Sequence, residues 1–152
     1  MPHQREWALI ADAQRARIFE HAMPAGPWSE CVAEAAAVDN PPSHEQGSER
    51  PGRVRESQGM ARHAIEPRED PHRAAKRGFA RQMADRLEAA AQAGRFASLL
   101  LIAPPAFLGD LRAALGDQAR RRLAGSLDKD LTHLALGAVS PHLDDIARGQ
   151  PD

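Results

Sequence analysis

Apolar and polar positions come in short blocks along this chain, and their spacing predicts most of its elements. Glu6-Trp7-Ala8-Leu9-Ile10-Ala11 is a mostly apolar run that ends at Asp12, and Ala16-Arg17-Ile18-Phe19-Glu20-His21 is a second run after a polar turn. Two strands joined by a tight turn fit this pattern. Pro24, Gly26 and Pro27 mark the next reversal. Residues 30–38 suit a helix by their alanine content and a third antiparallel strand by their length and neighbours; they are read here as strand.

Between residues 40 and 77 the only large apolar side chains are Val54, Met60 and Ile65, and Pro41, Pro42, Gly47, Pro51, Gly52 and Gly59 interrupt the segment. A stretch of that length without periodicity reads as a long polar loop, placed over residues 40–70. Asp70-Pro71 then signals a helix start, with Asp as N-cap and Pro where its missing N–H costs nothing. Phe79, Met83 and Leu87 recur at every fourth residue beside Ala75, Ala80, Ala84, Ala90 and Ala91, which predicts a helix running to a Gly94 stop.

The continuous apolar run over residues 98–103, closed by Pro104-Pro105, predicts a central strand covered on both faces. Phe107, Leu108, Leu111 and Leu115 form a helical face ending at Gly116, and residues 117–122 add another turn or two of helix. Residues 123–131 read as a last strand, although Leu123, Leu127 and Leu131 also fit a helical spacing. Ser140-Pro141 begins a terminal helix with Asp144 and Asp145 in its first turn. The order β-β-β, loop, α, β, α, β, α is that of a three-layer α/β fold of the ribonuclease H-like or ribosomal-protein-like type, a mixed sheet with helices on its faces. The 152 residues make one domain.

Composition sharpens this picture. Leu, Ile, Val and Phe number 27 in the whole chain but 25 of the 114 residues outside the segment 40–77, so that segment dilutes an otherwise ordinary core. Of the 20 basic residues only Lys76 and Lys129 are Lys, and the middle of the chain is basic while both ends are acidic. Arg suits bidentate contacts to phosphate or carboxylate; a GC-rich coding bias gives the same excess. Cys31 is alone, which leaves no intrachain disulfide or thiolate zinc cluster. No run of 18 apolar residues occurs, and the first residues lack the order of a signal peptide, so a cytoplasmic protein without a membrane partner is expected.

The chemistry-bearing residues form two groups. Asp128-Lys129-Asp130-Leu131-Thr132-His133 gathers carboxylates, a hydroxyl and an imidazole, and strand alternation would put Asp128, Asp130 and Thr132 on one face. Asp12 closes the first strand, either as a turn residue bonding its own backbone or as one carboxylate of a nuclease set that the fourth strand fails to complete. Asp12, Asp128, Asp130 and His133 are therefore the catalytic candidates. In the loop, Arg50, Arg53, Arg62 and His63 are candidates for phosphate contact, diluted by Glu45, Glu49, Glu56 and Glu66. No pair among the seven His has i, i+4 ligand spacing, and no cofactor or metal site is expected. Phosphate-binding glycine loops and a nucleophile elbow are absent.

Trp7-Ala8-Leu9-Ile10-Ala11-Asp12-Ala13-Gln14-Arg15-Ala16-Arg17-Ile18-Phe19, Arg50-Pro51-Gly52-Arg53, Gly94-Arg95-Phe96 and the run that follows it, Phe107-Leu108-Gly109 and the segment 128–133 together resemble the bacterial host-attachment protein family. That family is named for attachment to plant host cells and is similar in fold to the central domain of archaeal and eukaryotic peptide-chain release factors. The resemblance implies a ribosomal-protein-like α/β domain with a mobile loop between the third strand and the first long helix. In release factors that loop carries Gly-Gly-Gln for peptidyl-tRNA hydrolysis; here it holds Gln46-Gly47 and Gln58-Gly59 instead. The expectation is a non-enzymatic or weakly enzymatic factor contacting the ribosome or structured RNA and linked only indirectly to attachment. The alternatives are a small metal-dependent hydrolase using His63, His133 and the Asp128/Asp130 pair, or a protein-interaction module in attachment physiology.

Overall fold

The structure, a computed structural model, describes residues 4–38, 70–147 and 149. Strands β1 (Arg5–Ala11) and β2 (Arg15–Ala22) form the expected hairpin, with Trp7 opposite Glu20 and Ala11 opposite Ala16. Asp12 makes the turn: its Oδ1 accepts from the backbone N–H groups of Gln14 (2.8 Å) and Arg15 (2.9 Å).

The third strand is not one piece. Ser29–Glu30 (β3) and Ala36–Ala37 (β4) both pair antiparallel with β2, separated by a 3₁₀ turn over Val32–Glu34. Register gives the reason. Glu30 faces Phe19 and Ala36 faces Ala16, so this segment advances twice as far as its partner and the surplus is looped out. Arg86 and Arg95 then seize the looped Glu34, at 3.2 and 2.9 Å, and hold its carboxyl below the usual range, Arg95 contributing most.

Helix α1 (Pro71–Gln92) begins as predicted, with the Asp70 side chain accepting from His72 N–H. It ends in a Schellman arrangement in which Arg95 N–H reaches the Ala90 carbonyl and Gly94 takes φ 74°. Strand β5 (Ser98–Ile102) follows, then α2 (Pro105–Ala114), α3 (Asp117–Arg122) and β6 (Leu123–Leu127). Glu88 of α1 caps α3 by accepting from Ala119 and Gln118 N–H.

Strand β6 stops at Leu127, four residues short of the predicted end, and the terminal helix α4 (Leu136–Ala147) starts four residues before the predicted Ser140. Pro141 therefore lies inside the helix, and Asp144 and Asp145 sit beyond its first turn. Asp144 serves another purpose: its Oδ1 accepts from Trp28 Nε1 at 3.0 Å.

Among the described residues the sheet has six strands, ordered β3-β2-β1-β5-β6 with β4 also on β2. Strands β1, β5 and β6 run parallel. Trp7, Leu9, Ala11, Leu99 and Leu101 face α1, α2 and α3, whereas Ala8, Ile10, Leu100 and Ile102 face α4. The expected α/β class holds, as a mixed open sheet with helices packed on both faces. The α1 stripe buries as predicted from Phe79 to Ala91, except that Ala75 is exposed.

Two glycines separate backbone cost from packing. A β-carbon at Gly78, exposed in α1, meets nothing within 4 Å, whereas one at Gly125 in β6 would stand 2.9 Å from Ile146 Cγ2 of α4. Gly78→Ala should stabilise the fold by about 0.5–1 kcal/mol, and Gly125→Ala should destabilise it by about 1–3 kcal/mol. Urea denaturation with unchanged m-value checks both, and equal effects of one sign would contradict the assignment.

Candidate functional site

Because β1, β5 and β6 are parallel, their carboxyl ends share one edge of the sheet, where ligands of open α/β sheets commonly bind. Asp12 follows β1 at this edge and residues 128–135 follow β6. The flanks of the polar segment lie here too: Val38 N–H donates to Gln14 O at 2.8 Å, and α1 starts at this end because it runs back to the start of β5.

The segment after β6 is irregular, and Thr132 organises it. Its backbone N–H (3.0 Å) and its Oγ1 (2.5 Å) both lie on Asp130 Oδ1, while the same Oγ1 is 3.2 Å from Asp12 Oδ2. Thr132 is only 4% exposed. A hydroxyl has one proton, so Thr132 satisfies one carboxylate at a time. Asp12, Asp130 and His133 each bring a possible ligand atom within 4.8 Å of the others. The Asp130 carboxyl is held below its ordinary range, first by the Thr132 hydroxyl, then by the Thr132 N–H and the charges of His133 and Arg15, against the opposing effect of burial.

Arg17 anchors this segment from below. Nη1 donates to the carbonyls of Thr132 (3.1 Å) and Leu134 (2.6 Å), while Nε and Nη2 donate to Glu30 at 3.0 and 2.9 Å. The shared hydrogen bonds hold the Glu30 carboxyl below and the Arg17 guanidinium above their ordinary values. One guanidinium thus ties β2, β3 and the site segment together.

Of the catalytic candidates, the fold brings Asp12, Asp130 and His133 together and leaves Asp128 exposed outside the group. Alternation does not govern the segment, since the strand has ended at Leu127; Thr132 turns inward while Asp128 and Asp130 are exposed. Arg50, Arg53, Arg62 and His63 lie outside the described residues. Sequence reasoning missed Arg17, which the pattern alone does not set apart from Arg15 and Glu20 of the same strand. Burial, with the Glu20 and Glu34 charges adding, pushes the Cys31 thiol up to about 11, which disfavours the thiolate near neutral pH. No helix among the described residues is long and apolar enough to cross a membrane.

Comparison with protein families matches residues 7–143 to the family described as "Protein required for attachment to host cells". Asp12, Arg17, Asp130, Thr132 and His133 all fall in the matched span. No curated protein matches the chain.

A carboxyl with a depressed folded value contributes stability that is present above its unfolded value, about 3.9 for Asp, and is lost as pH falls through the folded one. Asp130→Asn should therefore give a shallower loss of stability on acidification than the parent chain. Denaturation midpoints measured from about pH 6 down to about pH 2.5 check this; parallel acid limbs would show that Asp130 is not held by Thr132.

Proposed function

We propose that this chain, which belongs to the family of proteins required for attachment to host cells, is a cytoplasmic domain that contacts structured RNA or the ribosome and bears on attachment indirectly. The observation that carries this reading is a separation of charge between the two helical layers. Helices α1, α2 and α3 hold nine basic and four acidic residues, net +5, on one side of the sheet. Helix α4 on the other side holds no Lys or Arg and two acidic residues, Asp144 and Asp145, net −2. A polarised surface of this kind attracts a polyanion to one face and turns the other away. Arg50, Arg53, Arg62 and His63 add phosphate contacts in this reading. The resemblance to ribosomal-protein-like folds and release-factor central domains is taken in this reading as a guide to the partner, not to the chemistry, because Gly-Gly-Gln is missing.

A second reading, a small metal-dependent hydrolase, is favoured by one specific observation. Two carboxylate oxygens and an imidazole nitrogen within 4.8 Å form a mixed donor set suited to zinc or manganese. Asp12, Asp130 and His133 would hold the ion, which would supply an activated water.

Anisotropy of a labelled RNA hairpin and sedimentation with ribosomes test the first reading. Binding should weaken steeply between about 50 and 200 mM salt. Absence of both interactions at the lower salt would remove the reading.

Calorimetric titration with Mn²⁺ and Zn²⁺ tests the second. The parent chain should bind one ion, and Asp12→Asn or His133→Ala should weaken binding about 10-fold or more. Identical isotherms for the parent and both variants would exclude this triad.

A further inference from the structure

The basic residues of the helical layer divide into those the fold uses and those it leaves free. Arg73 makes a bidentate pair with Asp110 at 2.8 and 2.9 Å, and Arg86 is committed to Glu34. Arg120 is bonded to the Leu115 carbonyl and Arg122 to the Gln118 carbonyl. Arg81 on α1 and Arg121 on α3 differ from these. Both are exposed, and neither has a hydrogen bond or ion pair among the described residues. Arg81 leaves a carboxylate unused nearby, since Asp85 lies one turn along the same helix and does not pair with it.

The two positions belong to one helical pair. Arg81 and Glu88 are seven residues apart and so lie on nearly the same stripe of α1, and Glu88 touches the first turn of α3 through Gln118 and Ala119. On α3 the buried Ala119 faces inward, which turns Arg121, two residues later, to the opposite side. Unpaired guanidinium groups suit phosphate oxygens, which they grip through two parallel N–H donors.

We infer that the outer surface of the α1–α3 pair, through Arg81 and Arg121, is a contact surface for the sugar–phosphate backbone of a structured RNA. The inference rests on the RNA reading proposed above and adds to it a surface separate from the loop residues 50–63 and from the Asp12/Asp130/His133 group. Exposed, unpaired guanidiniums can be replaced without loss of folding, so the surface can be tested cleanly.

The test measures affinity for a labelled RNA hairpin across a salt series in the parent chain, an Arg81→Gln/Arg121→Gln variant, an Arg81→Lys/Arg121→Lys variant and an Arg50→Gln/Arg53→Gln variant, with circular dichroism as the folding control. The Arg81→Gln/Arg121→Gln chain should bind about 10-fold more weakly and lose nearly two from the slope of log affinity against log salt. The lysine variant should keep the slope, because it keeps the charge. If the parent binds RNA and Arg81→Gln/Arg121→Gln binds with the same affinity and slope, this surface is wrong while the RNA reading stands. If the parent binds no RNA at low salt, the RNA reading itself fails. Unaltered RNA binding together with lost binding to anionic vesicles in that variant would reassign the surface to lipid and overturn the inference.

Discussion

The placement of β1 governs the rest of the molecule. This strand has β2 on one side and β5 on the other, with Trp7, Leu9 and Ala11 pressed on one helical layer and Ala8 and Ile10 on the opposite one. A strand sealed on both faces and both edges has no position along its length for a group that must meet water. Polar chemistry is pushed to its two ends, at Glu6 and at Asp12.

The two ends are finished differently. At the amino end, Glu6 and His21 are 4% and 3% exposed, and every polar atom has a partner. Glu6 Oε2 accepts from Ser98 at 2.7 Å; Oε1 lies 2.8 Å from His21 Nε2; His21 Nδ1 lies 3.0 Å from the Gly26 carbonyl. Trp28 covers the imidazole at 3.9 Å and is itself fixed to α4 through Asp144. A buried, fully satisfied network of this kind specifies structure. At the carboxyl end, Asp12 shares one hydroxyl with Asp130, and His133 stands exposed beside them. Only this end combines open access with incompletely satisfied donors and acceptors, and Arg17 holds its backbone in place so that the side chains do not have to.

What could be read from the sequence follows the same division. Local signals were sufficient wherever a local cause acts: Asp70-Pro71 and Gly94 bound α1 because capping is decided within a turn, and residues 98–103 announce a doubly covered strand by their unbroken apolar run. The third strand misled because its pairing is set by β2, and the mismatch of six residues against three can be seen only once the partners are aligned. The last strand and helix shifted because Thr132, buried far along the chain from its partners Asp12 and Arg17, outweighs the alternation of residues 123–131. For the candidate site, strand alternation groups Asp128 with Asp130, whereas the fold groups Asp130 with Asp12 and His133. Asp128 and Asp130 look equivalent in a strand, and they become inequivalent when Asp130 folds back on Thr132 and meets a carboxylate 118 residues away.

The alanine-rich composition connects the architecture to the basic surface. With 30 alanines among 152 residues, the interior gains little area per side chain, and helices approach the sheet closely without large interlocking groups to fix their positions. Arginine supplies much of that fixing. Arg17 clamps β2 to β3 and the site segment, Arg73 clamps α1 to α2, and Arg86 and Arg95 clamp α1 and the turn after it to Glu34. Bidentate and multi-partner geometry makes each a positional constraint, which a lysine could not reproduce. In a fold that draws so heavily on guanidinium groups for internal order, the exposed arginines that bond to nothing described are the exception. Their chemistry is that of the internal clamps, turned outward, and a phosphate backbone offers the oxygen pairs that Glu30, Glu34 and Asp110 offer inside.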